Sequence, residues 1–226
     1  MKKWEELPKE LQLKEVREYY DALQLHQGGL LAKRIFDIIV SGILLVIVSP
    51  ILLVLSILIK LDSSGPVMFR QVRVTTYGKE FRIFKFRTMV NYADEIGSQV
   101  TTKGDTRVTK IGKLLRGCRL DELPQLLNIL KGEMTFVGTR PEVPKYVQHY
   151  TNEMKATLLL PAGVTSRASI EYKDEERLLE NAENADNVYV QRVLPEKMKY
   201  NLEAMKNFSF FEDIKTMFAT VVAVIR

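Results

Sequence analysis

The chain has almost no cysteine. Cys118 stands alone among 226 residues, so no intrachain disulfide can form, and a reducing compartment fits. Histidine is nearly as scarce: His26 and His149 lie far apart, which argues against a His-rich zinc site and leaves a Ser-His-Asp triad without a local motif. The opening stretch, WEELPKELQLKEVREYY, mixes charges and has no apolar core, so it is not a secretory signal. Internal repeats, low-complexity linkers and base-reading motifs are also missing. The net charge of +5 suits an anionic membrane surface, a phosphorylated substrate or nucleic acid, and composition does not choose among them. With 46% apolar and 27% charged residues, the chain is neither disordered nor a many-span membrane protein.

Four parts follow one another. Residues 1–31 are polar and helix-prone, with Leu7, Leu11, Leu13, Val16, Tyr19, Tyr20 and Leu23 at roughly helical spacing and Gly28-Gly29 as the expected end. This extension reads either as a helix packed on the rest or as an interfacial or oligomer-forming helix. Residues 32–60 contain 22 uncharged residues from Ile38 to Ile59. As a helix that run is roughly 33 Å long, enough to cross a hydrocarbon core, and it reads as membrane-inserted. Ser49-Pro50 in its middle predicts a kink, with the Ser49 hydroxyl able to satisfy part of the freed backbone. Lys33-Arg34 before the run and Lys60, Arg70 and Arg73 after it give no clear orientation by the positive-inside rule. A kinked span and a helix that bends back to the side it entered both remain open on the residues alone.

Residues 61–205 form a mixed domain. Pro66 to Val74 and Glu80 to Met89 read as two strands joined by a turn at Tyr77-Gly78. Helices are expected over Thr109 to Cys118, Val143 to Leu159, Lys173 to Ala182 and Pro195 to Met205, and Leu123, Leu126, Leu127 and Leu130 form a core-facing helical stripe. In residues 206–226, Ser209 and Glu212 form a capping box before an apolar face of Phe210, Ile214, Met217, Phe218, Val221 and Ile225. That segment suits the membrane interface or a core helix.

Asp121 and Glu122 precede the leucine stripe, and Pro124 suits a first helical turn, so the acids should sit at a helix start, a natural place for phosphate. Acids are common there simply to complement the dipole. Cations add to the signal: Lys85 and Arg87 share one face of an extended FKFRTM, and Arg140 lies in the stiff VGTRP segment. Paired acids on a basic surface suggest phosphate chemistry with a divalent metal.

Together KRIFDIIVSGILLVIVSP, FKFRTM, RLDELPQLLNILKGEMTFVGTRPEV and SFFEDIKTMF, in that order from Lys33 to the C-terminus, resemble the monotopic phosphoglycosyl transferases, or bacterial sugar transferases. The chain looks like the minimal catalytic form with an N-terminal helical extension. The resemblance implies an α+β, mainly helical fold: a re-entrant membrane helix-break-helix, a cytosolic domain with a small β-hairpin, and interfacial amphipathic helices. It implies Asp121 as nucleophile and Mg²⁺ ligand with Glu122 as partner, Lys85, Arg116 and Arg140 as phosphate- or nucleotide-binding cations, Ser49-Pro50 as the re-entrant motif, and Lys33-Arg34 at the membrane surface. The implied partners are a UDP-sugar, polyprenyl (undecaprenyl) phosphate and membrane lipid, with a homodimer possible and no nucleic acid. The implied location is the bacterial cytoplasmic membrane, with the site facing the cytoplasm. Two departures, Thr139 in VGTRP and the run Gly163-Val-Thr-Ser-Arg167-Ala, leave the sugar open. A membrane-anchored metal-dependent phosphohydrolase and a non-catalytic scaffold of a glycan assembly complex are the competing readings.

Overall fold

The computed structural model describes residues 1–93, 105–172 and 185–225. Two 3₁₀ turns, Trp4–Glu6 and Lys9–Leu11, lead into helix α1 (Lys14–Gln24). The predicted apolar spacing is right: Leu7, Leu11, Val16, Tyr19, Tyr20 and Leu23 are buried against Ala156, Leu159, Leu202, Met205 and Phe208. The break comes earlier than Gly28-Gly29. His26 leaves the helical conformation, and both glycines fall in the first turn of α2 (Gln27–Asp62), where Gly29 lets the Phe208 ring approach.

α2 is one 36-residue helix containing Pro50, long and apolar enough by length and composition to cross a membrane. Ser49 Oγ donates to the Val46 carbonyl (2.8 Å), a local bond beside the proline. One stripe of α2 faces the protein along its whole length. Lys33, Asp37 and Ser41 are buried near its start, Leu44, Leu45 and Val48 pack on a core with Phe81, Leu126 and Ile129, and Leu55 and Ile59 pack with Phe86 and Leu115. The other side, including Val46, Ile47, Leu53, Val54 and Leu61, is exposed and apolar.

The expected hairpin forms in two pieces. β1 (Met68–Phe69), β2 (Val72–Val74), β3 (Glu80–Arg82) and β4 (Lys85–Phe86) pair β1 with β4 and β2 with β3, both antiparallel. Met68 faces Phe86 and Val72 faces Arg82, so both ladders keep one register, and Ile83 N–H to the Gln71 carbonyl (3.0 Å) bridges the gap. Tyr77 has a left-handed backbone in the turn. The backbone stays paired beyond Phe86, with Arg87 N–H donating to the Val67 carbonyl (2.9 Å), yet the Arg87 side chain does not join Lys85. It is buried and donates to the Ser63 and Ser64 carbonyls just past α2.

α3 (Lys110–Gly117) is capped by Thr109, whose hydroxyl accepts from Gly112 N–H (3.0 Å). The segment Leu120–Gln125 is a 3₁₀ turn before the short α4 (Leu126–Lys131). A 3₁₀ turn has three residues per turn, which shifts the phase of the expected stripe. Leu126 is buried but Leu123, Leu127 and Leu130 are half-buried, while Gln125, Asn128 and Ile129 are buried. Gly132 ends α4 with φ +81°, and Arg34 donates to the Ile129 and Leu130 carbonyls there.

β5 (Met134–Val137) leads to α5 (Pro144–Val147), and β6 (Ala162–Thr165) pairs with β5 in parallel. No strand was expected here. The pair is tight: a Cβ on Gly163 would lie 2.2 Å from Gly138 N. The single helix expected over Val143 to Leu159 is instead α5 and a 3₁₀ turn at Met154–Leu159. Its halves serve different cores, Tyr146 and Tyr150 one and Ala156 and Leu159 the other. The helix expected over 173–182 lies outside the described residues. α6 (Arg167–Glu171), α7 (Ala185–Val188), α8 (Leu194–Lys206) and α9 (Phe210–Ile225) complete the order, and α8 matches its expected bounds within a residue. α9 starts directly after Ser209, packs its Phe210 ring 5.5 Å from Phe36 of α2, and leaves Phe211, Phe218 and Val221 exposed.

Candidate active site

The acids lie where α3 gives way to the 3₁₀ turn. Arg119 takes a left-handed backbone (φ 55°, ψ 19°), and its carbonyl accepts from Glu122 N–H (3.3 Å), swinging both acids inward. Asp121 is 1% exposed and Glu122 9%. Burying carboxylates is costly unless cations or donors meet them, and here cations do. Lys85 Nζ lies 2.8 Å from Asp121 Oδ2 and 3.6 Å from Glu122 Oε1. Arg140 forks onto both oxygens of Glu122, with Nη2 on Oε1 and Nη1 on Oε2 (3.3 Å). Arg119 Nη1 is a looser neighbour, 3.8 Å from Glu122 Oε1. Burial pushes Glu122 upward, but the Arg140 and Lys85 charges, the Arg140 hydrogen bond and the Arg119 charge outweigh it, holding the carboxyl well below the usual carboxylate range. Asp121 differs at one atom: its Oδ1 is buried without a hydrogen-bond partner. Such an atom in a charged cluster needs an explanation.

Both principal cations are fixed by backbone clamps. Asn128, fully buried in α4, accepts from Phe84 N–H (2.8 Å) and donates to the Arg82 carbonyl (3.1 Å) and to Glu133 (2.7 Å). It grips the strand just before Lys85. Arg140 follows β5, where Gly138 N–H donates to Thr165 and Gly163 N–H to Thr139 (2.9 and 2.8 Å). Arg73 Nη1 then holds the Pro141 carbonyl (3.0 Å).

Four of the expected site residues, Asp121, Glu122, Lys85 and Arg140, thus share direct ion pairs. Arg116 is joined to the neighbourhood through Thr88, whose hydroxyl accepts from its Nε (2.9 Å). Lys33 and Arg34 turn into the protein: Lys33 Nζ donates to the Val137 carbonyl (2.7 Å) and pairs with Asp213, and Arg34 caps α4. Sequence reasoning missed Arg119 and Asn128. A non-glycine residue just past a helix end signals the first only weakly, and a polar residue inside an apolar stripe signals the second. Among the described residues no group of three or more His, Cys, Asp or Glu side chains converges as a metal cage. Asp121 Oδ1 remains the open carboxylate oxygen, and one such ligand suits Mg²⁺, which takes few protein ligands beside phosphates and water.

Known proteins resemble this chain over most of its length. The N-acetylgalactosaminephosphotransferase of Aeromonas hydrophila, named for UDP-N-acetylgalactosamine and undecaprenyl phosphate, is 35% identical over 84% of this chain and 42% of its own. A UDP-glucose:undecaprenyl-phosphate glucose-1-phosphate transferase of Klebsiella pneumoniae is 38% identical over 84% of this chain and 39% of its own. The chain therefore spans about two fifths of these curated relatives. An uncharacterized sugar transferase of Bacillus subtilis (strain 168) is 34% identical over 85% of this chain and 86% of its own. A family model described as bacterial sugar transferase matches residues 29–226, from the start of α2 through the buried acids to α9. The chain belongs to the bacterial sugar transferase family.

Proposed function

We propose that the chain transfers a sugar-1-phosphate from a UDP-sugar to a polyprenyl phosphate such as undecaprenyl phosphate, giving a polyprenyl-diphosphate sugar and UMP. The relatives named for this reaction support it. The observation that carries the chemistry is Asp121: a buried carboxylate with Lys85 on one oxygen and nothing on the other. The free oxygen attacks the β-phosphorus, an Asp121 O–P bond forms, and the bond to UMP breaks with its electron pair leaving on UMP. An oxygen of the polyprenyl phosphate then attacks the same phosphorus and releases Asp121 unchanged. Two separate attacks avoid bringing two phosphate anions together at once. Lys85 and Arg140 offset phosphate charge while Glu122 keeps Arg140 in place. Asp121 would hold Mg²⁺, which supplies charge neutralisation on the diphosphate and on departing UMP.

The membrane reading extends this. Residues on both flanks of the uncharged run touch the same globular body: Arg34 on α4 before it, and after it Asp62, which accepts from Ile111 N–H (3.0 Å). That supports placing the two ends on one membrane face, and the re-entrant arrangement at the cytoplasmic membrane, with Ser49-Pro50 at the bend, rests on the family resemblance, since α2 itself runs through Pro50 as one helix. The test of the reaction is a UMP-release screen across UDP-sugars in detergent with undecaprenyl phosphate and Mg²⁺. Asp121→Asn is expected to lose UMP release by at least about a thousandfold while remaining in the membrane fraction. Normal turnover by that variant sinks the nucleophile assignment, and UMP release without lipid-linked sugar favours a phosphohydrolase.

A further inference from the structure

We propose that Arg119 is a phosphate-binding residue of this site; the proposal rests on the transferase reading above. Three observations meet at it. Its backbone is left-handed at the position just past the C-cap of α3, where glycine is the ordinary solution because it carries no Cβ penalty. The turn itself therefore needs no arginine, and the side chain is held there against a conformational cost. The side chain is 47% exposed, and its ion pair with Glu122 is a loose 3.8 Å, on a carboxylate whose two oxygens already accept from Arg140. A half-exposed pair of that length stabilises little, so the group is free to exchange it for another anion. The third observation is Asp121, two residues on, whose buried Oδ1 has no hydrogen-bond partner and is the oxygen assigned to the attack above.

Charge points to the ligand class. Lys85 and Arg140 match the two carboxylates one for one, and the half-exposed Arg119 adds positive charge beside Glu122. A planar fork of donors beside the acid pair suits phosphate oxygens. Those oxygens belong either to the nucleotide-sugar diphosphate or to the lipid phosphate.

The test uses the full chain in detergent, as wild type, Arg119→Gly and Arg119→Lys. Inorganic pyrophosphate is titrated calorimetrically, and thermal midpoints are measured alongside. Arg119→Gly should bind pyrophosphate about tenfold more weakly with an unchanged or higher midpoint, since glycine relieves the left-handed residue. Arg119→Lys should fall between the two. Pyrophosphate affinity within twofold of wild type in Arg119→Gly, no pyrophosphate binding by wild type, or a fall in midpoint that accompanies the lost affinity overturns the proposal. Kinetic arms separate the sources: a raised KM for the UDP-sugar alone assigns Arg119 to the nucleotide, and a raised KM for polyprenyl phosphate alone assigns it to the lipid. If wild type releases no UMP from any UDP-sugar, the transferase reading fails, while the pyrophosphate titration still decides on Arg119.

Discussion

Asp121 and Glu122 are sequence neighbours with opposite bonding states. Glu122 is saturated by Arg140 and Lys85, and Asp121 keeps one oxygen unbonded. A saturated carboxylate positions; an unsaturated one reacts. Glu122→Gln should therefore act mainly on Arg140, leaving it without its charged acceptor and lowering stability by about 1–3 kcal/mol. Because the folded-state carboxyl of Glu122 is depressed, its contribution is fully present above the ordinary value of 4.5 and is lost only as pH falls through the lower folded-state value. Thermal melts of wild type and Glu122→Gln at stepped pH should keep a constant gap from neutral to mildly acid conditions and converge only in strong acid. A gap that closes near pH 7 would show that the pair is not ionised as described.

At the scale of elements, precision comes from clamps between segments distant in sequence. Asn128 reaches Phe84 across 44 positions and makes α4 a partner for the hairpin strand that ends in Lys85. Asn128→Ala should cost about 2 kcal/mol or more and slow UMP release, since Lys85 loses its footing; full activity with an unshifted melt would contradict this. α2 is testable in the same spirit. With Cys118 replaced by Ser, single cysteines at Leu31 and Ser64 should label from the same membrane face, and labelling from opposite faces would exclude re-entry. These elements also show how far the residues alone reach. The apolar run, the α1 stripe and the hairpin are legible because each follows a local period or turn, whereas the acid pair stands out only through the family-like order of motifs around it, since acids at helix starts are common. The split of 143–159, the parallel β5–β6 pair and the inward turn of Lys33 are not legible, because their causes lie far along the chain: Lys33 meets Val137 across 104 positions.

Over the whole molecule, the family match begins at residue 29, yet one core is half built from residues before it. Removing residues 1–25 would uncover Ala156, Leu159, Leu202, Met205 and Phe208, and the thermal midpoint in detergent should fall by roughly 10 °C or more. An unchanged midpoint would mean that the extension is only draped on the surface. The other long-range tie joins the two ends of the fold. Lys33 near the start of α2 pairs with Asp213 in α9, across 180 positions. At the roughly 5–20 residues per second of protein synthesis, the partner of that lysine emerges some ten to forty seconds after it. For that interval the apolar helix exists without the contact that locks it, so its long exposed face must be covered by something other than its final partner.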